Sequence, residues 1–133
     1  MTSLAALPGF LAHFIAALVL LALAAIAYVR FTPHNELRLI REGNSCAAVA
    51  LGGAILGFAL PIGSAISHSA NWLDAVVWAV VAMLAQGLAF LVTSRLLVPD
   101  WTSAMLRGEM AGAVLGAAIA IAVGLLNAAA LTP

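Results

Sequence analysis

Arg41-Glu42-Gly43-Asn44 is followed, from Ser45 to Ile66, by a run without a single charged side chain. A helix needs about 20 apolar residues to cross a bilayer, so the stretch reads as a charged threshold at a membrane surface and the span behind it. Three further runs are of similar length and nearly as apolar, Phe10 to Val29, Leu73 to Thr93, which holds the single acid Asp74 near its start, and Met110 to Leu131. Arg107-Gly108-Glu109 stands before the last of them much as Arg41 to Asn44 stands before the second. The chain has 133 residues, 65% of them hydrophobic and 8% charged, with a mean hydropathy of +1.18. That leaves too few polar side chains to cover a water-soluble globule. The expected fold is all-α integral membrane with four transmembrane helices, a single membrane domain over residues 1–133 with no room for a soluble one.

Charge gives the orientation. Five Arg and five acids cancel, there is no Lys, and nothing suggests a nucleic-acid footprint. Arg30, Arg38, Arg41, Arg95 and Arg107 all fall in or beside the first and third connections, whereas the N-terminus, the 67–72 connection and the C-terminus carry none. The positive-inside rule then puts both Arg-bearing connections in the cytoplasm and both termini outside. The first apolar run is too long for a signal-peptide core and has no basic residue ahead of it, so it reads as the first span. A lone Cys46 excludes an intramolecular disulfide and any multi-cysteine metal site.

Helix 1 is expected to begin after Pro8-Gly9. His13, one turn inside its outer end, reads as an interfacial histidine bonded to a carbonyl or water, or as a titrating group facing the bundle. Beyond Thr32-Pro33-His34, Asn35 reads as an N-cap with Glu36 in the first turn, and the helix is expected to continue unbroken into the membrane. Arg38 and Glu42, four apart, can pair. Gly43 is expected to admit a neighbouring backbone, and the Asn44 amide, at headgroup depth, needs partners.

Within the spans, small residues and isolated amides carry the signal. Gly53 and Gly57 stand four apart, and Pro61 frees a carbonyl near Gly57, which suits tight packing or a substrate path. Trp72 anchors the outer interface and Asp74 is expected to cap helix 3. Gln86 is the strongly polar residue at depth in that helix, either interhelical glue or the lining of a polar cavity. Asp100 repeats the cap after a proline. Gly108, Gly112, Gly116, Ala120, Gly124 and Ala128 place one small residue every four, a groove for another helix of the bundle or of another subunit, with Asn127 near its outer end. His13, His68 and Asp74 share a side but lack a helical i,i+4 histidine pair, so no metal site is expected, and no cofactor.

The halves superpose on a shift of 65 residues: Arg30 on Arg95, Asn35 on Asp100, Gly43 on Gly108, Asn44 on Glu109 and Ala48 on Ala113. The expected architecture is therefore two parallel two-helix repeats, about 8–67 and about 72–131, related by an axis along the membrane normal.

Thr32-Pro33, Asn35-Glu36, Ile40-Arg41-Glu42-Gly43-Asn44, Ala47-Ala48, Gly52-Gly53, Gly57 and Pro61 together resemble the domain-of-unknown-function 350 family, the YjfL-like bacterial inner-membrane proteins, over about residues 10–130. Glu109 departs from the pattern, which usually has asparagine there. The resemblance implies a four-helix inner-membrane protein whose relatives look like accessories of envelope homeostasis, encoded near phage-shock-like or polyamine-related genes.

Three functions compete. The first is an oligomeric accessory of envelope homeostasis or stress response, its Arg-rich inner face meeting anionic lipid or a cytoplasmic partner protein. The second is an oligomeric channel or transporter for a small ion or polyamine, with Asn44, Gln86, Glu109 and Asn127 along its path, though no acid lies at the bilayer midplane. The third, an enzyme, lacks a nucleophile–base pair and a ligand cluster, and a haem between His13 and His68 is the one form it could take. The sequence favours the first, without catalysis. Its candidate residues are Arg41, Glu42, Asn44, Gln86, Glu109 and Asn127 among polar groups, and Gly53, Gly57, Gly108, Gly112, Gly116 and Gly124 for packing.

Overall fold

The computed structural model describes residues 4–31, 36–68, 71–97 and 100–131, and among these every regular element is helical. After a short 3-10 turn at Leu4–Ala6 come α1 (Leu7–Phe31), α2 (Glu36–Arg41), α3 (Ser45–His68), α4 (Trp72–Val92), α5 (Trp101–Arg107) and α6 (Met110–Ala130). Four of these, α1, α3, α4 and α6, are long and apolar enough to cross a membrane. Large apolar side chains cover their outer faces, among them Phe14, Leu23, Leu56, Leu84, Leu88 and Leu126, as expected of surfaces solvated by lipid rather than water.

Two short helices, α2 and α5, precede α3 and α6, and each is cut from its successor by a glycine in the left-handed region, Gly43 at φ 89° and Gly108 at φ 75°. The unbroken helix expected from Asn35 is thus corrected. Asn35 itself lies outside the described residues. A Cβ on Gly43 or Gly108 would meet nothing within 4 Å, so both serve backbone conformation and not close approach, and Gly108 stands in a turn ahead of the α6 ridge.

The centre is α3, packed most extensively on α6 and also on α1 and α4. From the Asn44 end onward, Asn44 reaches Met105, Gly53 faces Ala117, Gly57 faces Ala120 and Gly124, and Ser64 reaches Ala128. The pairs advance together along both chains, so α3 and α6 run parallel. Their contact is built from glycine and alanine because lipid tails solvate a leucine as well as another helix would, leaving close van der Waals approach as the source of cohesion. A Cβ on Gly53 would collide with the backbone and Cβ of Ala117, and one on Gly124 with the Gly57 backbone. Gly116 answers a different need, giving room to the Trp101 indole of α5. These glycines of the ridge therefore pack within the chain.

Helix ends differ in detail from expectation. Pro8 and Gly9 lie inside the first turn of α1, where a proline has no helical hydrogen bond to lose. Asn71, not Asp74, caps α4, its Oδ1 accepting from the Asp74 N–H at 2.9 Å. Asp74 instead accepts from the Trp78 indole N–H at 3.1 Å. Asp100 occupies the cap position of α5 without a side-chain bond. Beyond Val92 the chain widens into a π turn, Thr93–Leu97, with the Thr93 hydroxyl donating to the Ala89 carbonyl.

Candidate functional site

Pro61 has no N–H, so the Gly57 carbonyl, four residues back, loses its helical partner inside the membrane. Gln86 of α4 supplies the replacement: its Nε2 donates to the Gly57 carbonyl at 2.7 Å and to the Ala120 carbonyl of α6 at 3.1 Å. One buried amide therefore joins three helices. Gly57 and Gly124 make this possible, because a side chain at either would displace the Gln86 amide or the facing backbone. Nearer the C-terminal end of α6, Asn127 Nδ2 donates to the Ala82 carbonyl at 3.2 Å, tying α6 to α4. The Ser64 hydroxyl donates to the Ala128 carbonyl at 3.0 Å.

At the opposite end of the bundle Asn44 performs two tasks. Its Oδ1 accepts from the Ala47 N–H at 3.0 Å, capping α3, while its Nδ2 donates to the Met105 carbonyl at 2.8 Å and ties α3 to α5. Glu109 holds the matching place before α6 but makes no cap bond with its side chain. It pairs with Arg107 at 2.9 Å, and that hydrogen bond holds the exposed carboxyl below the usual glutamate range. Arg38 and Glu42 stand 3.6 Å apart, both well exposed, and Arg41 is exposed beside them. Exposure makes these pairs weak contributors to stability.

A third group, which the sequence does not bring together and in which Glu36 was expected only as a first-turn acid, lies between these two levels. Glu36 is fully buried, and Tyr28 of α1 is hydrogen-bonded to it. Phe90 of α4 meets Tyr28 edge-on at 5.3 Å and Trp101 edge-on at 5.5 Å, a chain of rings from α1 to α5. Among them lies a cavity of about 30 Å³, bordered by Tyr28, Gln86, Phe90, Thr93 and Trp101, which is room for a water or two. The Trp101 Nε1 is buried without a hydrogen-bond partner among the described residues.

Glu36 was legible in principle. Glu36, Leu39 and Ile40 share one side of α2, with Arg38, Arg41 and Glu42 turned to solvent, so the acid sits on the apolar side. Trp101, Ala104 and Met105 repeat the spacing in α5, and all three are buried.

The domain of unknown function DUF350 matches residues 1–131. The chain belongs to this family. It is 30% identical over 124 residues to the UPF0719 inner membrane protein YjfL of Escherichia coli strain K12, and equally to that of strain O157:H7, covering 93% of this chain and 93% of each relative. No solved structure matches the chain. As a DUF350 protein with four apolar helices able to span, it is a multi-pass protein of the bacterial inner membrane.

His13 takes the plainer of its two readings in this DUF350 chain: its ring is exposed, Nδ1 bonds the Gly9 carbonyl at 2.8 Å, and the ring lies 4.8 Å from that of Trp72. Among the described residues no three His, Cys, Asp or Glu side chains gather where a metal could bind, and the His68 side chain lies outside them.

Proposed function

We propose that this DUF350 protein is a non-catalytic accessory of the inner membrane, acting as a homo-oligomer in envelope homeostasis or stress response. The observation that carries this reading is that Asn44, Gln86 and Asn127 all spend amide hydrogens on carbonyls of neighbouring helices. Groups that line a path must exchange partners with whatever passes, whereas these are committed to holding helices together. The reading includes two parallel repeats, with both termini outside. The in-step pairing of α3 with α6 and the shared left-handed turns at Gly43 and Gly108 support it. It also places the Arg-bearing connections against anionic lipid and a cytoplasmic partner protein. Since Gly53, Gly57, Gly116 and Gly124 are occupied within the chain, the contact between copies uses other surfaces.

The cavity beside Gln86 and Tyr28 favours a second reading, an oligomeric channel or transporter for a small ion or polyamine. Flux from proteoliposomes separates the two. The accessory reading expects no protein-dependent movement of inorganic ions, protons or polyamines. A saturable flux lost in Gln86→Leu or Glu109→Gln would establish the transporter instead.

A further inference from the structure

We propose that the groove between α1, α2 and α3 is a binding site for one anionic phospholipid, its acyl chain lying in the groove and its phosphate held by Arg30. The proposal rests on the anionic-lipid part of the functional reading above and gives it an address. The groove, about 430 Å³, has Ala25, Ile26 and Val29 as one wall, Leu51 and Ile55 as the other, Leu37 of α2 at one end and Arg30 in its lining. Ile55 stands ten residues into α3, about 15 Å along the axis at 1.5 Å per residue, and half of a hydrocarbon core of about 30 Å. The groove therefore runs from headgroup depth at Arg30 and Leu37 to Ile55 on α3 and, on α1, to Ala25, five residues or about 7.5 Å in from Arg30, which seats the headgroup-proximal part of one lipid chain.

Charge selects the headgroup. Arg38 and Arg107 are engaged by Glu42 and Glu109, but among the described residues no carboxylate pairs with Arg30. A cation at the mouth of an otherwise apolar groove suits a molecule that is anionic at one end and hydrocarbon along the rest. Arg41, one turn beyond Leu37 on α2 and exposed, adds positive potential on the same side. The larger groove between α1 and α4, lined by Ala24, Phe58, Leu84 and Leu88 among others, has no cation in its lining and offers an anionic lipid no comparable preference.

The test is native mass spectrometry of the full chain in detergent, titrated with dioleoyl phosphatidylglycerol and, separately, dioleoyl phosphatidylcholine. One phosphatidylglycerol should be retained about fivefold more tightly than phosphatidylcholine, the effect of one arginine near an anionic headgroup. Arg30→Gln should erase the preference and Arg30→Lys should keep most of it. Arg95→Gln removes the same charge from an exposed site outside the groove and should change nothing. Leu51→Trp, which fills the groove, should weaken both lipids, with helix content by circular dichroism confirming that each variant folds. Inorganic phosphate should not compete, since it cannot occupy the apolar walls. Equal binding of the two lipids, or displacement by phosphate, would overturn the site. Equal losses in Arg30→Gln and Arg95→Gln would also overturn it while leaving a diffusely basic face, and with it the broader reading, intact.

Discussion

Gln86 compensates for Pro61 across a helix boundary, and that dependence can be measured. Replacing Gln86 with Leu leaves the Gly57 and Ala120 carbonyls without its amide, and bonds of this kind in membrane bundles are worth ~0.6 kcal/mol on average and up to about 1.7. We expect a loss of about 1–2 kcal/mol in unfolding from mixed micelles. Pro61→Ala restores an N–H for the Gly57 carbonyl, so Gln86→Leu should cost less in that background; an equal cost in both would refute the compensation. The sequence showed Gln86, Gly57 and Pro61 separately, but which carbonyl the amide would find depends on how α4 lies against α3, and no local pattern encodes that. At the surface, the Arg107 hydrogen bond depresses the Glu109 carboxyl, so its favourable contribution is present above the ordinary glutamate range and fades as pH falls through the depressed value. Arg107→Gln should therefore shift the Glu109 titration upward in carboxyl-detected NMR, whereas an unshifted titration would show that the pair does not persist in solution.

Elements were legible where hydrophobicity alone decides them, and less so where a glycine had two possible uses. The spans starting at Ser45 and Met110 agree with the apolar runs, because a bilayer demands length and apolarity and little else. The turns ahead of them were missed because a glycine chosen for positive φ and one chosen for close packing look alike in sequence. Gly43 and Gly108 belong to the first kind, Gly53 and Gly124 to the second. Substitution distinguishes them. Gly43→Ala and Gly108→Ala should each cost about 1–2 kcal/mol through backbone strain, with Asn milder than Ala, since asparagine tolerates the left-handed region better. At Gly53 the order reverses: Asn, the larger, should be worse than Ala because the obstacle is Ala117. Thermal unfolding of the six variants in one detergent checks both orders.

Over the whole molecule, the parallel course of α3 and α6 sets how their two entrances lie in the membrane. Asn44 and Glu109 begin these helices, and Asn44 bonds the helix that leads into the second, so both thresholds stand at the same membrane surface. All five arginines lie in or beside the connections at that surface, and none lies at the other. So one-sided a distribution acts on every copy during insertion and should yield a single orientation, with the thresholds in the cytoplasm. In a Cys46→Ala background, Ser67→Cys should react with a membrane-impermeant maleimide on intact spheroplasts, and Glu109→Cys only after permeabilisation. Both positions are exposed, so access depends on the side of the membrane and not on burial. Labelling of both in intact cells would mean two populations inserted in opposite senses, which the arginine asymmetry forbids. A clean reversal would put the thresholds outside, and the basic face could then meet neither a cytoplasmic partner nor the anionic cytoplasmic leaflet.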